Sequence, residues 1–206
     1  MNREILKLYL VTDTHALQGR DFFAVLEAAL AGGITLVQLR EKELPFDALK
    51  EKLLRTAALC RRYRVPLLID DHPELVVPCG IDGVHVGQND QDAAESRTLI
   101  GPHKILGVTA KTVCQAQAAQ TAGADYLGSG AMFPTATKGD ASPMTVAQLA
   151  QIVQSVSIPV VAIGGINRTN AHRLCGIGLA GLAISSGLMH AENVYETAKY
   201  LRTLPL

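Results

Sequence analysis

The sequence predicts a (β/α)8 TIM barrel, a closed sheet of parallel strands wrapped by helices. Three observations point there. Short apolar runs alternate from end to end with segments whose apolar residues recur at three- and four-residue steps. The runs are continuous rather than alternating, as expected where both faces of a parallel sheet are covered. Eight such units fill 206 residues, the lower edge of the barrel range. A doubly wound open sheet is the competing architecture, but it would usually use fewer strands. No linker rich in proline, glycine or serine interrupts the pattern, so residues 1–206 are read as one domain.

Leu6 to Val11 is the first strand, and a helix follows over Asp21 to Leu30. Ile34 to Leu39 is the second strand; Leu49, Leu53, Ala57 and Cys60 then mark one face of a helix. Pro66 to Ile69 is the third strand, followed by a short helical turn from Pro73. Val84 to Gly87 is the fourth, with a helix from about Asp92. Ile105 to Val108 is the fifth, before an alanine-rich helix that ends at Gly123. Asp125 to Gly128 opens the sixth. The next helix places Val146, Leu149, Val153 and Val156 on one face, with Thr145 and Gln148 at capping-box spacing. Pro159 to Ile163 is the seventh strand and Leu182 to Ile184 the eighth, and Asn193 with Glu196 caps the closing helix in the same way.

Composition excludes several classes of function. Nineteen basic and nineteen acidic residues leave no net charge, so neither nucleic acid nor a membrane surface is an expected partner. No apolar run is long enough to span a bilayer and the N-terminal residues show no secretory pattern, so a cytoplasmic location is expected. Cys60, Cys79, Cys114 and Cys175 are scattered, without metal-ligand spacing, and read as reduced thiols. Assembly into a homo-oligomer stays open.

In such a barrel the active site lies at the C-terminal ends of the strands. Those positions hold Gln38, Arg40 and Lys42, then Asp70 and Asp71, then Gln88 and Asp90, then Thr109. The sixth strand leads into GSGAMFPTATKGD, with Thr135, Thr137 and Lys138; the seventh ends in Gly164 and Gly165, the eighth in Ser185 and Ser186. Gln38, Arg40 and Lys42 alternate, so they point the same way if the strand continues. Two arginine or lysine cations here, with Lys138, suit a polyphosphate; ordinary surface ion pairs with neighbouring acids are the other reading. Asp71 and Asp90 end consecutive strands. A carboxylate pair beside a phosphate site suits Mg²⁺, which keeps waters and substrate oxygens in its shell. An acid/base pair, or salt bridges to Arg40 and Lys42, are the alternatives. Glycines and serines after strands seven and eight commonly build a second phosphate site.

Among the histidines, His85 alternates within the fourth strand and either faces the mouth or is satisfied inside the fold. His72 adjoins the acid pair. No serine lies in a GxSxG elbow and no cysteine has an evident partner histidine, so a protein nucleophile is not expected.

The strings QLREK, IDDHPEL, GVHVGQND, ILGVTAKT, DYLGSGAMFPTATKGD, IPVVAIGGIN and AISSGL, in this order, resemble thiamine-phosphate synthase and cover nearly the whole chain. The resemblance implies that an aminopyrimidine diphosphate and a thiazole phosphate are joined to thiamine phosphate, with release of pyrophosphate. It implies that Gln38, Arg40, Lys42, Asp70, Thr109 and Lys138 hold the diphosphate substrate, that Leu39, Glu41 and Ala136 also bind substrate, and that Asp71 and Asp90 hold Mg²⁺. Thr135, Thr137, Gly165, Ile184 and Ser185 would hold the thiazole phosphate. Arg40, Lys42, Thr109 and Lys138 would act on the departing pyrophosphate. Six residues depart from the expected strings: Asp70 replaces asparagine, His72 replaces arginine, Thr109 replaces serine but keeps a hydroxyl, and Ser129, Ser186 and Gly187 also differ. A thiazole tautomerase of similar sequence is the rival function, and it gives the acid pair and Lys138 no task. The Ala131 to Ser142 loop is expected to close over the site.

Overall fold

A computed structural model describes residues 2–135 and 143–206. Its strands are β1 (Leu8–Val11), β2 (Leu36–Leu39), β3 (Leu67–Asp70), β4 (Gly83–Val86), β5 (Ile105–Thr109), β6 (Tyr126–Ser129), β7 (Val160–Ile163) and β8 (Gly181–Ile184). All pair in parallel in chain order, and β8 closes on β1 through Leu8–Leu182, Tyr9–Ala183 and Leu10–Ile184. The helices are α1 (Phe22–Ala31), α2 (Phe46–Tyr63), α3 (Ala93–Ile100), α4 (Val113–Thr121), α5 (Val146–Ser155), α6 (Ser186–Met189) and α7 (Val194–Arg202).

Closure divides each strand's side chains between two cores. Leu8, Leu10, Val37, Leu39, Leu67, Ile69, Leu127 and Ala162 point outward and pack under the helices. Tyr9, Val11, Leu36, Leu68, Tyr126, Val161 and Ala183 fill the interior. The face of α2 read from its spacing is the buried one: Leu49, Leu53, Ala57 and Cys60 are all sealed from solvent.

Local chemistry starts the helices where expected. The Asp21 carboxylate accepts from Ala24 N–H at 2.7 Å. Thr145 and Gln148 form the reciprocal capping box at the start of α5. Asn193 caps α7 one way, through Glu196 N–H at 3.0 Å.

The structure also differs from the periodic reading. Leu6 belongs to a 3₁₀ turn (Arg3–Leu6) rather than to β1. The crossover after β7 contains a single 3₁₀ turn, Ala171–Leu174, in place of a full helix, whereas the short turn expected from Pro73 is present as Pro73–Leu75. In α5 the buried residues are Leu149 and Ile152; Val146 is 47 % exposed and Val156 lies past the helix end.

The four cysteines are free thiols of unequal access. Burial, with the Asp82 charge adding to it, pushes the Cys60 thiol up to about 12. Since the thiolate is the reactive form, a thiol reagent at pH 8 is expected to label exposed Cys114 first. Cys60 and Cys79 should stay unlabelled until denaturant is added, as read by mass spectrometry of digested protein.

Candidate active site

The inward positions at the C-terminal ends of the strands line one cleft of roughly 980 Å³, open to solvent. Its floor is apolar, with Val11, Ile163 and Ala183. Its walls carry Gln38, Arg40, Lys42, Asp70, Asp71, Asp90 and Thr109 on one side and Thr135, Gly165 and Ser185 on the other.

Gln38, Arg40 and Lys42 all reach this cleft because pairing persists one step beyond the strand ends. Thr12 N–H donates to the Gln38 carbonyl at 2.9 Å, and Arg40 N–H to Thr12 Oγ1 at 3.0 Å. The alternation therefore carries on to Arg40, and Lys42 lines the cleft from a bend just beyond it. The residues between them point elsewhere. Leu39 is wholly buried in the outer core, as is Ile184. Glu41 turns away, accepting from Thr14 Oγ1 at 2.6 Å and from Lys52 Nζ at 2.5 Å. Leu39, Glu41 and Ile184 can offer a ligand main-chain groups only. Gln88 also turns aside, its amide donating to the Thr109 carbonyl at 2.6 Å.

Charge is concentrated on the wall formed by β2, β3 and β4. The Asp70 carboxylate lies 3.5 Å from Arg40 Nε and 3.4 Å from Lys42 Nζ. Lys42 also donates to Asp71. Burial alone would lower the Lys42 pKa; the hydrogen bond to Asp71 and the charges of Asp70, Asp71 and Asp90 override it and hold the amine above the usual lysine range. Lys42 is therefore a fixed cation at neutral pH.

Asp71 sits at φ +62°, a left-handed conformation that aspartate and asparagine adopt more readily than other side chains. Its N–H donates to the His85 carbonyl at 3.0 Å, and its carboxylate meets that of Asp90. Asp90 is anchored in turn by Gly87 N–H, which donates to Oδ2 at 2.8 Å. A Cβ on residue 87 would stand 2.4 Å from that oxygen, so the approach requires glycine. Burial raises the Asp90 pKa first, and the hydrogen bond and negative charge of Asp71 raise it further; Gly87 N–H and Lys42 offset part of this. Two hard oxygen ligands that repel one another form a site a divalent cation would relieve. Among the described residues no group of three or more His, Cys, Asp or Glu side chains could hold a metal. A cation at Asp71 and Asp90 would thus keep most of its shell for water and substrate oxygens, the pattern of Mg²⁺.

Among the described residues, Gln38 Nε2 and Ser185 Oγ on the cleft are buried and find no hydrogen-bond partner. Buried donors normally find acceptors, so both are poised for a ligand. Gly165, at φ +65°, packs beneath the Pro134 and Phe133 carbonyls and would clash there with any Cβ. Ala136, Thr137 and Lys138 lie outside the described residues, as does most of the loop expected to close.

Sequence reasoning did not identify Lys111, which lines the cleft after β5. Nor did it find Tyr9 and Tyr126, whose hydroxyls join His85 beneath Thr109. His85 is satisfied within the fold and also borders the cleft, so its two alternative readings hold together.

Comparison with known proteins is consistent across sequence and structure. Residues 8–188 match the family described as thiamine monophosphate synthase. A thiamine-phosphate synthase of Alkaliphilus oremlandii is 46 % identical over 95 % of this chain and 93 % of its own. Thiamine-phosphate synthase 2 of Streptococcus pneumoniae is 43 % identical over 99 % of this chain and 98 % of its own. The solved thiamine phosphate pyrophosphorylase of Pyrococcus furiosus superposes with a TM-score of 0.88 at 36 % identity, covering 97 % of this chain and 95 % of that one. With a family match across most of its length, and the site geometry that accompanies it, the chain belongs to the thiamine monophosphate synthase family.

Proposed function

We infer that this chain joins 4-amino-2-methyl-5-hydroxymethylpyrimidine diphosphate to 4-methyl-5-(2-hydroxyethyl)thiazole phosphate, giving thiamine phosphate and pyrophosphate. One observation carries the reading: a wall of two cations and three carboxylates stands over an apolar floor at the strand ends. That wall suits a diphosphate leaving group and the floor suits a flat heterocycle. The names of the relatives agree with it.

The reaction needs no protein nucleophile. The bond between the pyrimidine methylene carbon and the diphosphate oxygen breaks, and its electron pair departs with pyrophosphate. The thiazole nitrogen then supplies the pair for the new carbon–nitrogen bond. Arg40 and Lys42 would stabilise the charge building on the leaving group, Arg40 as a planar fork and Lys42 as a point charge. Thr109 would donate a hydrogen bond to the same oxygens. Asp71 and Asp90 would hold Mg²⁺, which when bound supplies charge neutralisation for the diphosphate. Gln38 would use its unpaired amide to orient the pyrimidine. Ser185, Gly165 and Thr135, with Thr137 and Lys138 from the loop, would seat the thiazole phosphate and the remaining diphosphate charge. Holding both reactants in line contributes to the rate by proximity alone.

Asp70 adds a carboxylate already engaged with Arg40 and Lys42. In the filled site it would orient both cations, with the diphosphate sharing them. A tautomerase acting on the thiazole phosphate alone would leave this wall without a task. The same reading places the reaction in the cytoplasm; among the described residues no helix is long and apolar enough to cross a membrane.

With Mg²⁺ and both substrates, thiamine phosphate and pyrophosphate should appear in equal amounts. Asp71→Ala and Lys138→Ala should each lower turnover by about 10²-fold or more. Binding of thiazole phosphate without condensation would favour the tautomerase instead. Gly165→Ala, strained by its φ and its neighbours, should cost about 1–3 kcal/mol in urea unfolding. The same variant should raise KM for thiazole phosphate more than KM for the diphosphate.

A further inference from the structure

Three side chains without a role above lead in one line to Thr109. Tyr9 Oη on β1 lies 2.8 Å from Tyr126 Oη on β6. Tyr126 Oη lies 3.0 Å from His85 Nδ1 on β4, and His85 Nε2 lies 3.0 Å from Thr109 Oγ1 on β5. The line crosses the barrel interior from its sealed centre to the cleft: Tyr9 and Tyr126 are buried, whereas Thr109 borders the mouth. Space for it is cleared by glycine. A Cβ on residue 107 would come within 2.3 Å of the Tyr126 hydroxyl and 2.5 Å of His85 Nδ1.

Hydrogen-bond bookkeeping gives this line a direction. Burial holds both phenols well above their usual pKa, so both hydroxyls keep their protons. Among the described residues, the Tyr126 hydroxyl is the one hydrogen-bond partner of the Tyr9 hydroxyl. A buried donor left unpaired costs about 1–3 kcal/mol. Tyr9 therefore donates to Tyr126, and Tyr126 donates to His85 Nδ1. The imidazole proton then resides on Nε2 and is donated to Thr109 Oγ1. The Thr109 proton is left to point into the mouth. The opposite direction strands the Tyr9 proton in the core.

We propose that Tyr9, Tyr126 and His85 are positioning residues that fix the His85 Nε2–H tautomer and so aim the Thr109 hydroxyl proton at an anionic oxygen of the diphosphate substrate. This inference rests on the synthase reading of the site. A donor oriented before the leaving group gains charge needs no reorganisation as the bond breaks.

The test is a pair of measurements on the full chain. Imidazole ¹⁵N shifts of histidine-labelled protein at neutral pH should report His85 as the Nε2–H tautomer. Tyr9→Phe should keep that tautomer, because Tyr126 still donates, whereas Tyr126→Phe should give a mixture. An Nδ1–H tautomer in the unsubstituted protein overturns the proposal, and that measurement requires no variant to fold. In steady-state kinetics, Tyr126→Phe should lower kcat about tenfold, a change of about 1.4 kcal/mol, with little change in either KM. In a Thr109→Val background it should cost nothing further, and in Thr109→Ser the tenfold sensitivity should return. An equal loss in the Thr109→Val background makes the effect merely structural and overturns the proposal. Loss in Thr109→Val without loss in Tyr126→Phe overturns the proposal alone. Full activity of Thr109→Val overturns it by removing the role assigned to Thr109 in the site itself.

Discussion

Closing eight very short parallel strands into one sheet is the constraint on which the rest depends. It forces every second side chain into an interior only wide enough to be filled by side chains. Large residues such as Tyr9, Tyr126, Leu36 and Leu68 fill it, with Gly107 making room for Tyr126 and Gly128 for His85. At the open end the same alternation continues into residues that no longer need to be apolar. Arg40, Asp70 and Thr109 are in this sense the next layer of the barrel interior. The active site is therefore built on the strand ends and on the residues directly after them, so Gln38, Asp70 and Thr109 are held by the sheet itself.

Those charges are arranged to be incomplete. Lys42 is shared between Asp70 and Asp71, Arg40 lies at the edge of contact with Asp70, and Asp90 faces Asp71 rather than a cation. A partly buried carboxylate pair with one nearby amine favours an additional positive charge, and exposed cations favour an additional anion. A metal–diphosphate pair satisfies both demands together. The left-handed backbone at Asp71 belongs to this arrangement, in which its carboxylate meets that of Asp90.

Much of this was legible in the sequence because barrels report themselves through simple periods. The eight apolar runs fell within two residues of the observed strands, and the Thr145 capping box was readable from spacing alone. Gln38, Arg40 and Lys42 were placed together by alternation. What could not be read depends on contacts between distant strands. Leu39, Glu41 and Ile184 lie beside residues that reach the cleft, yet their side chains leave it, and a resemblance by strings does not separate neighbours on opposite faces. A tyrosine in an apolar run reads as core filling. That Tyr9 reaches Tyr126, and Tyr126 reaches His85, emerges only when β1, β4 and β6 face each other across the interior. The crossover helix missing after β7 has a local cause: Gly176 and Gly178, both at positive φ, follow the 3₁₀ turn Ala171–Leu174.

The account's central claim is that the wall at β2, β3 and β4 binds pyrophosphate together with a divalent cation. The most direct measurement is a calorimetric titration of pyrophosphate into the protein, with and without Mg²⁺, repeated on Asp90→Asn. The account predicts that Mg²⁺ strengthens binding in the unsubstituted protein and that this coupling is largely lost in Asp90→Asn. Equal affinity with and without Mg²⁺, or coupling unchanged in Asp90→Asn, would contradict it.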